Sequence, residues 1–340
     1  MTSKQQIQKK QTPLEGMTSG QIAFGLFGMF CLLLILRNAT VAIDYMTQGL
    51  NLCAKTVIPS LFPFMVISEL IIGGGIVEKL PRAMMMPLCR LFRLPAEGCC
   101  AAVLGMMCGF PIGARCAIRA YEQEQLTRDE AERVLCFSCN PSSAFLITAV
   151  GTSLWGNRTF GVGLYVAVLI AATLTGIIIA RVKVPHDAFD EPLHSATKQP
   201  RLTGARLFTE SIRSSVSSIL LVSAYVVFFS ALVGTFRFMP GVERLPDAAK
   251  AFLFCLFELS SGVSQATGLT ATLPSALLCA FAAGWSGISV HCQLFAVCDG
   301  TGLSLRPYLL AKLLQALLCP LLFFVILSIF PALLIPSMGI

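Results

Sequence analysis

Four stretches of this chain run for about twenty positions without a charged residue: Met17 to Leu36, Phe160 to Ala180, Ser214 to Phe236 and Leu313 to Ile335. A helix rises 1.5 Å per residue, so roughly 20 residues cross the hydrocarbon of a bilayer. With 55% hydrophobic residues, 13% charged residues and a mean hydropathy of +0.76, the sequence lacks the polar surface of a soluble domain. The expected fold is an all-α polytopic membrane protein, with the lipid bilayer as its first partner.

The formal net charge is +7. It is explained by Lys and Arg in loops held on the cytoplasmic side, and no basic patch is interleaved with aromatics, which excludes nucleic acid as a partner. The most basic loops are residues 79 to 93 and 181 to 213. Placing both with the N-terminus in the cytoplasm makes the first run a retained anchor leading outward, and Thr56 to Val77 the return. Nearly all of the fourteen cysteines sit in apolar runs and read as small, buried, reduced side chains. Cys136 and Cys139 have the spacing of half a metal knuckle, but no second pair accompanies them, so no metal is expected.

The polar stretch 181–213, with Pro185, Pro192 and Pro200, divides the chain. The resulting plan is a cytoplasmic tail at 1–20, an anchor and amphipathic segment at 21–55, a first repeat at 56–180, the linker at 181–213 and a second repeat at 214–340. Each half contains a long apolar segment followed by Gly-rich, interrupted ones. By the charge rule, Ser60 to Gly75 enters from outside and Ser217 to Gly234 leaves from inside. The expectation is two inverted-topology repeats with re-entrant hairpins or discontinuous helices.

The interruptions carry the candidate site. In hydrocarbon, unwound backbone survives only where protein or a water-filled cavity covers it. Gly109, Pro111 and Gly113 interrupt the first such segment, and the half-helix that follows offers amide donors to an anion, with Arg115 adding a guanidinium. The plain alternative is that the glycines pack a helix pair while Arg115 reaches the interface. Asn140, Ser142 and Ser143 flank Pro141 in a second break and can bind a solute or a coupling ion, or else bond across packed helices. Glu258, beside Ser260 and Ser261, is an intramembrane carboxylate costing about 3 kcal/mol, open to proton coupling, cation binding or pairing with an arginine. Gly287, Ser289, His291 and Gln293 mark a last polar stretch, with His291 open to packing or site roles. No catalytic triad, paired carboxylates, Walker loop or dinucleotide motif is present, so an enzyme is not expected. No cofactor is expected beyond a coupling proton or cation, and the sequence leaves room for a homo-oligomer.

Taken in order, "SLFPFMVISELI", "GFPIGARC", "CNPSSAFLITAVG", "FELSSG" and "GWSGISVHCQ" resemble the YlbJ (SpoVV) family of sporulation integral membrane proteins, within the nucleoside-recognition or Gate-domain superfamily, from about Val57 to Phe330. The resemblance implies the membrane around the forespore of an endospore-forming bacterium, and carriage of dipicolinate, a small anionic solute, toward the forespore. It places hairpin tips at Gly109 to Arg115 and Gly284 to Gln293, with Asn140, Ser142, Ser143 and Glu258 lining a cavity. Two other functions stay open: a nucleoside or cation carrier of the same fold, and a non-transporting assembly or regulatory protein.

Overall fold

The computed structural model describes residues 19–74, 82–183, 204–237, 239, 241–269 and 272–335. Nearly all of the expected tail and the heart of the expected linker lie outside them. Among the described residues there is no strand. Five helices are long and apolar enough to cross a membrane, and there are six such spans if Met85–Phe92 and Ala96–Cys108, which meet at 93°, form one broken span.

The N-terminal α1 (Ser19–Arg37) is followed by α2 (Ala39–Leu52), a π-helical turn at Cys53–Val57 and α3 (Ile58–Gly73). These last three form one apolar helix, Ala39–Ile71. The domain boundary expected between residues 55 and 56 therefore falls inside a continuous span. Asp44 and Lys55 break the uncharged run in the sequence, but the helix carries through them. The linker is also shorter than 181–213, because α8 (Arg158–Lys183) and α9 (Gly204–Phe236) extend into it from both sides.

After α3 the Met-rich α4 (Arg82–Phe92) turns sharply into α5 (Ala96–Cys108). Gly109 then reverses the chain into α6 (Phe110–Glu122). Its φ of 99° and ψ of 175° suit a residue without a Cβ. The two arms of this hairpin touch so closely that a Cβ added at Gly105 would fall 2.8 Å from the Gly113 Cα. Next comes α7 (Arg128–Ser138), started by a capping box between Thr127 and Glu130. Four residues around Pro141 then run unwound, and the chain continues through π-helical Phe145–Trp155 into α8.

The second half repeats this order: a long arm, α9; a hairpin, α10 (Asp247–Phe257) and α11 (Leu259–Thr267); an interrupted helix, α12 (Thr272–Trp285) and α13 (Ile288–Cys298); and a closing span, α14 (Arg306–Ile329). Here the hairpin turns at Glu258, in extended conformation at φ −145° and ψ 125°. This differs from the expected second tip at Gly284 to Gln293. At Ser286 and Gly287 the chain unwinds, both at positive φ, but continues as one span, Thr272–Cys298. The family resemblance placed the second tip at the glycine-rich stretch, whereas a single extended glutamate does the turning.

Arm contact at the second hairpin rests on Gly262, where a Cβ would fall 2.5 Å from the Cys255 Cα and 2.7 Å from its nitrogen. Both obstacles are backbone and cannot swing aside. Gly262→Ala is expected to cost about 1–3 kcal/mol, read as a lower thermal unfolding midpoint of the detergent-solubilised protein.

Candidate functional site

The four interruptions meet. Gly109 abuts Ser142, with a Cβ built on it 3.0 Å from the Ser142 Cβ, and Gly287 abuts the Glu258–Leu259 backbone at 3.0 to 3.1 Å. In each half one positive-φ glycine thus lets the hairpin tip press against the break in the following helix. Between the two pairs lies a pocket walled by Gly109, Pro111, Ser142, Glu258, Ser260 and Gln293 among others. Its remaining wall is apolar and comes from the two arms, through Leu61, Met65, Val222 and Val226, and from Phe145.

Every break exposes helix ends, and side chains satisfy many of them. At the end of α5, Tyr165 donates its hydroxyl to the Met106 carbonyl (3.3 Å) and Ser143 to that of Met107 (2.9 Å). At the end of α7, Gln315 donates to the Cys136 carbonyl (3.0 Å) and Asn140 to that of Phe137 (2.6 Å). Trp285 closes α10 through the Leu256 carbonyl (2.9 Å). Glu258 caps α11 by accepting from the Ser260 and Ser261 amides at 2.9 and 2.5 Å. Ser142 caps the helix after Pro141 by accepting from the Phe145 amide (3.1 Å). The N-termini of α6 and α13, which follow Gly109 and Gly287, carry no side-chain cap. In α6 this leaves the Phe110 amide, because Pro111 has no N–H and the Ile112 and Gly113 amides bond the Gly109 carbonyl; in α13 the Val290 and His291 amides bond the Gly287 carbonyl in the same way.

The sequence reading missed Lys312. It is fully buried within α14, and its ammonium donates to Asn140 Oδ1 (2.9 Å), Gln315 Oε1 (3.0 Å) and Ser286 Oγ (3.3 Å). The amide orientations are fixed independently, since the nitrogens of Asn140 and Gln315 are committed to the Phe137 and Cys136 carbonyls. Among the described residues no carboxylate pairs with it. In the sequence Lys312 stands immediately before the Leu313 run and reads as the charge that ends it. The available signal was Arg306, which marks the true start of the span six residues earlier.

The remaining candidates fall into two groups. Arg115 lies outside the pocket wall, contrary to the expected role as an anion receptor there. Its guanidinium pairs with Glu69 (3.2 Å) and donates to Ser214 (2.7 Å) and Ser218 (2.5 Å), while Ser214 donates to the same Glu69 oxygen (3.0 Å). This cluster ties the first hairpin to both arms. Gly113 serves hairpin packing, and Ser261 pairs with Ser230 (2.6 Å). His291 is buried, with Nδ1 2.9 Å from the Tyr308 hydroxyl and its ring edge-on to Trp285. By contrast, Ser289 Oγ, His291 Nε2 and Gln293 Oε1 are buried without a protein partner. Of these three residues, Gln293 lines the pocket.

All fourteen cysteines are free thiols, and among the described residues no three His, Cys, Asp or Glu side chains cluster as a metal would require.

No family model matches this chain, and no solved structure matches it. Among curated proteins it is similar to the sporulation integral membrane protein YlbJ of Bacillus subtilis (strain 168), with 25% identity over 327 residues, covering 85% of this chain and 78% of the relative. The resemblance read from the five motifs is borne out for YlbJ, and no match reaches the Gate-domain superfamily.

The Glu69–Arg115 pair is partly exposed, at 15% and 32% of the side-chain surfaces. A double-mutant cycle of Glu69→Gln and Arg115→Gln is expected to give a coupling of about 1 kcal/mol in thermal or denaturant unfolding. Additive single effects would mean that the two side chains act independently.

Proposed function

We propose that the chain is a sporulation membrane carrier that moves a small anionic solute, with dipicolinate the leading candidate. The observation that supports this most directly is the pocket between the two hairpin tips and the two helix breaks. Unwound backbone at membrane depth is retained where it lines a solute path, and three such points, Gly109, Pro141–Ser142 and Glu258, line one cavity, joined by Val290 and Gln293 from the helix after the fourth. The likeness to a sporulation integral membrane protein supports the biological setting, a membrane around the forespore. The repeated order of arm, hairpin, interrupted helix and closing span supports two halves of inverted topology, which rock against each other to expose the pocket to either side.

The chemistry favours an anion with an apolar ring. The N-terminus of α6, without a side-chain cap, opens into the pocket at Gly109 and Phe110, and Gln293 on the wall carries an amide nitrogen that can donate to a carboxylate. Glu258 would repel a dianion, but both of its oxygens are occupied by the α11 amides. Met65, Phe145, Val222 and Val226 supply surfaces for a planar ring. In this arrangement the first carboxylate meets the Phe110 amide and the Gln293 side-chain nitrogen, and Arg115 holds the scaffold.

Purified protein in liposomes is expected to take up labelled dipicolinate faster than empty vesicles, competed by unlabelled dipicolinate and not by a nucleoside. Gln293→Leu is expected to weaken half-saturation about 10-fold, equivalent to roughly 1.4 kcal/mol. Correctly inserted protein with neither flux nor binding would point instead to an assembly or regulatory role, and competition by nucleosides would reassign the solute.

A further inference from the structure

Lys312 presents a problem that the pocket does not solve. A lysine buried in a membrane span is normally held by a carboxylate or faces water. Here three neutral oxygens take the three ammonium hydrogens, one each from Asn140, Ser286 and Gln315. All four residues are at most 1% exposed. Asn140 lies two residues past the end of α7 and Ser286 one residue past the end of α12. The negative ends of a half-helix from each repeat therefore converge on one ammonium. Side-chain oxygens combined with half-helix C-termini are the materials from which carriers build sites for small monovalent cations.

We propose that Lys312 is a tethered cation standing where a mobile monovalent ion would otherwise bind, so that the protein needs no sodium at this position and its charge never leaves the site. The inference rests on the carrier reading. Pro141 and Ser142, which follow its acceptor Asn140 in the chain, line the pocket, so the fixed charge is joined to the wall that faces the solute. Among the described residues no carboxylate forms an ion pair with it, so its field is set against that of Glu258 on the pocket wall. The tether also joins the two halves, because its acceptors belong to the interrupted helices of both.

The test is the thermal unfolding of purified protein in detergent, followed with a thiol-reactive fluorophore that reports exposure of the mostly buried cysteines. Wild type is expected to melt at the same temperature in sodium, potassium and choline chloride of equal ionic strength. Lys312→Ala should melt lower by about 5 °C or more in choline chloride and recover saturably with ethylammonium or sodium, which can enter the vacated space. Lys312→Met, whose side chain fills that space, should melt lower without recovery. The proposal is overturned if wild type gains stability saturably from sodium, if Lys312→Ala is as stable as wild type, or if it is destabilised but indifferent to every cation. Where Lys312→Ala does not fold, the wild-type salt series decides alone: indifference supports the tether and a sodium-specific gain refutes it. No flux is measured, so a failed carrier assignment and a failed tether leave different signatures.

Discussion

A peptide group that leaves a helix inside hydrocarbon must find a partner or cost several kcal/mol. Among the described residues helix is interrupted near the pocket at Gly109, around Pro141, at Glu258 and at Ser286–Gly287. The polar side chains of the described core are arranged around that debt. Tyr165, Ser143, Asn140, Gln315 and Trp285 close carbonyl ends, while Ser142 and Glu258 close amide ends. What is left open is as informative. Two amide ends remain uncapped, and one of them faces the pocket.

The two halves share an order of elements but not a chemistry. In the first, a glycine turns the hairpin and a proline interrupts the next helix; in the second, a glutamate turns the hairpin and a glycine sits at the interruption. The closing spans differ similarly. Counting from the first residue of each, the position of Lys312 in α14 corresponds to Leu164 in α8, a buried apolar residue. The second half supplies the cation and two of its acceptors, and the first supplies the third through Asn140. A shared scaffold thus carries an unequal distribution of charge across the pocket.

Much of this was legible in the sequence. The long uncharged runs located α8, α9 and α14, and the breaks at Gly109, Pro141 and Gly287 followed from residues that cannot sustain a helix at those positions. Gly109, Pro111, Ser142, Glu258, Ser260 and Gln293 reached the pocket wall. The failures have physical causes. Arg115 looked like an anion receptor because its partner Glu69 lies 46 residues earlier, and contact across that distance leaves no local pattern. Glu258 looked like a mid-helix charge because a cap and a core carboxylate are alike in one dimension. Lys312 was hidden because a cation beside an apolar run resembles an interfacial anchor, and only packing shows that helix continues on both sides of it.

The arms Ala39–Ile71 and Gly204–Phe236 are each 33 residues and lie against one another. At 1.5 Å per residue each is about 50 Å long, while hydrocarbon is about 30 Å thick. Both must lean or reach into the headgroups, and the π-helical turn at Cys53–Val57 gives the first a natural point of flexure. The two rods lie side by side and both line the pocket, through Leu61 and Met65 on one and Val222 and Val226 on the other, so the lean each adopts is shared by the pocket's outer wall.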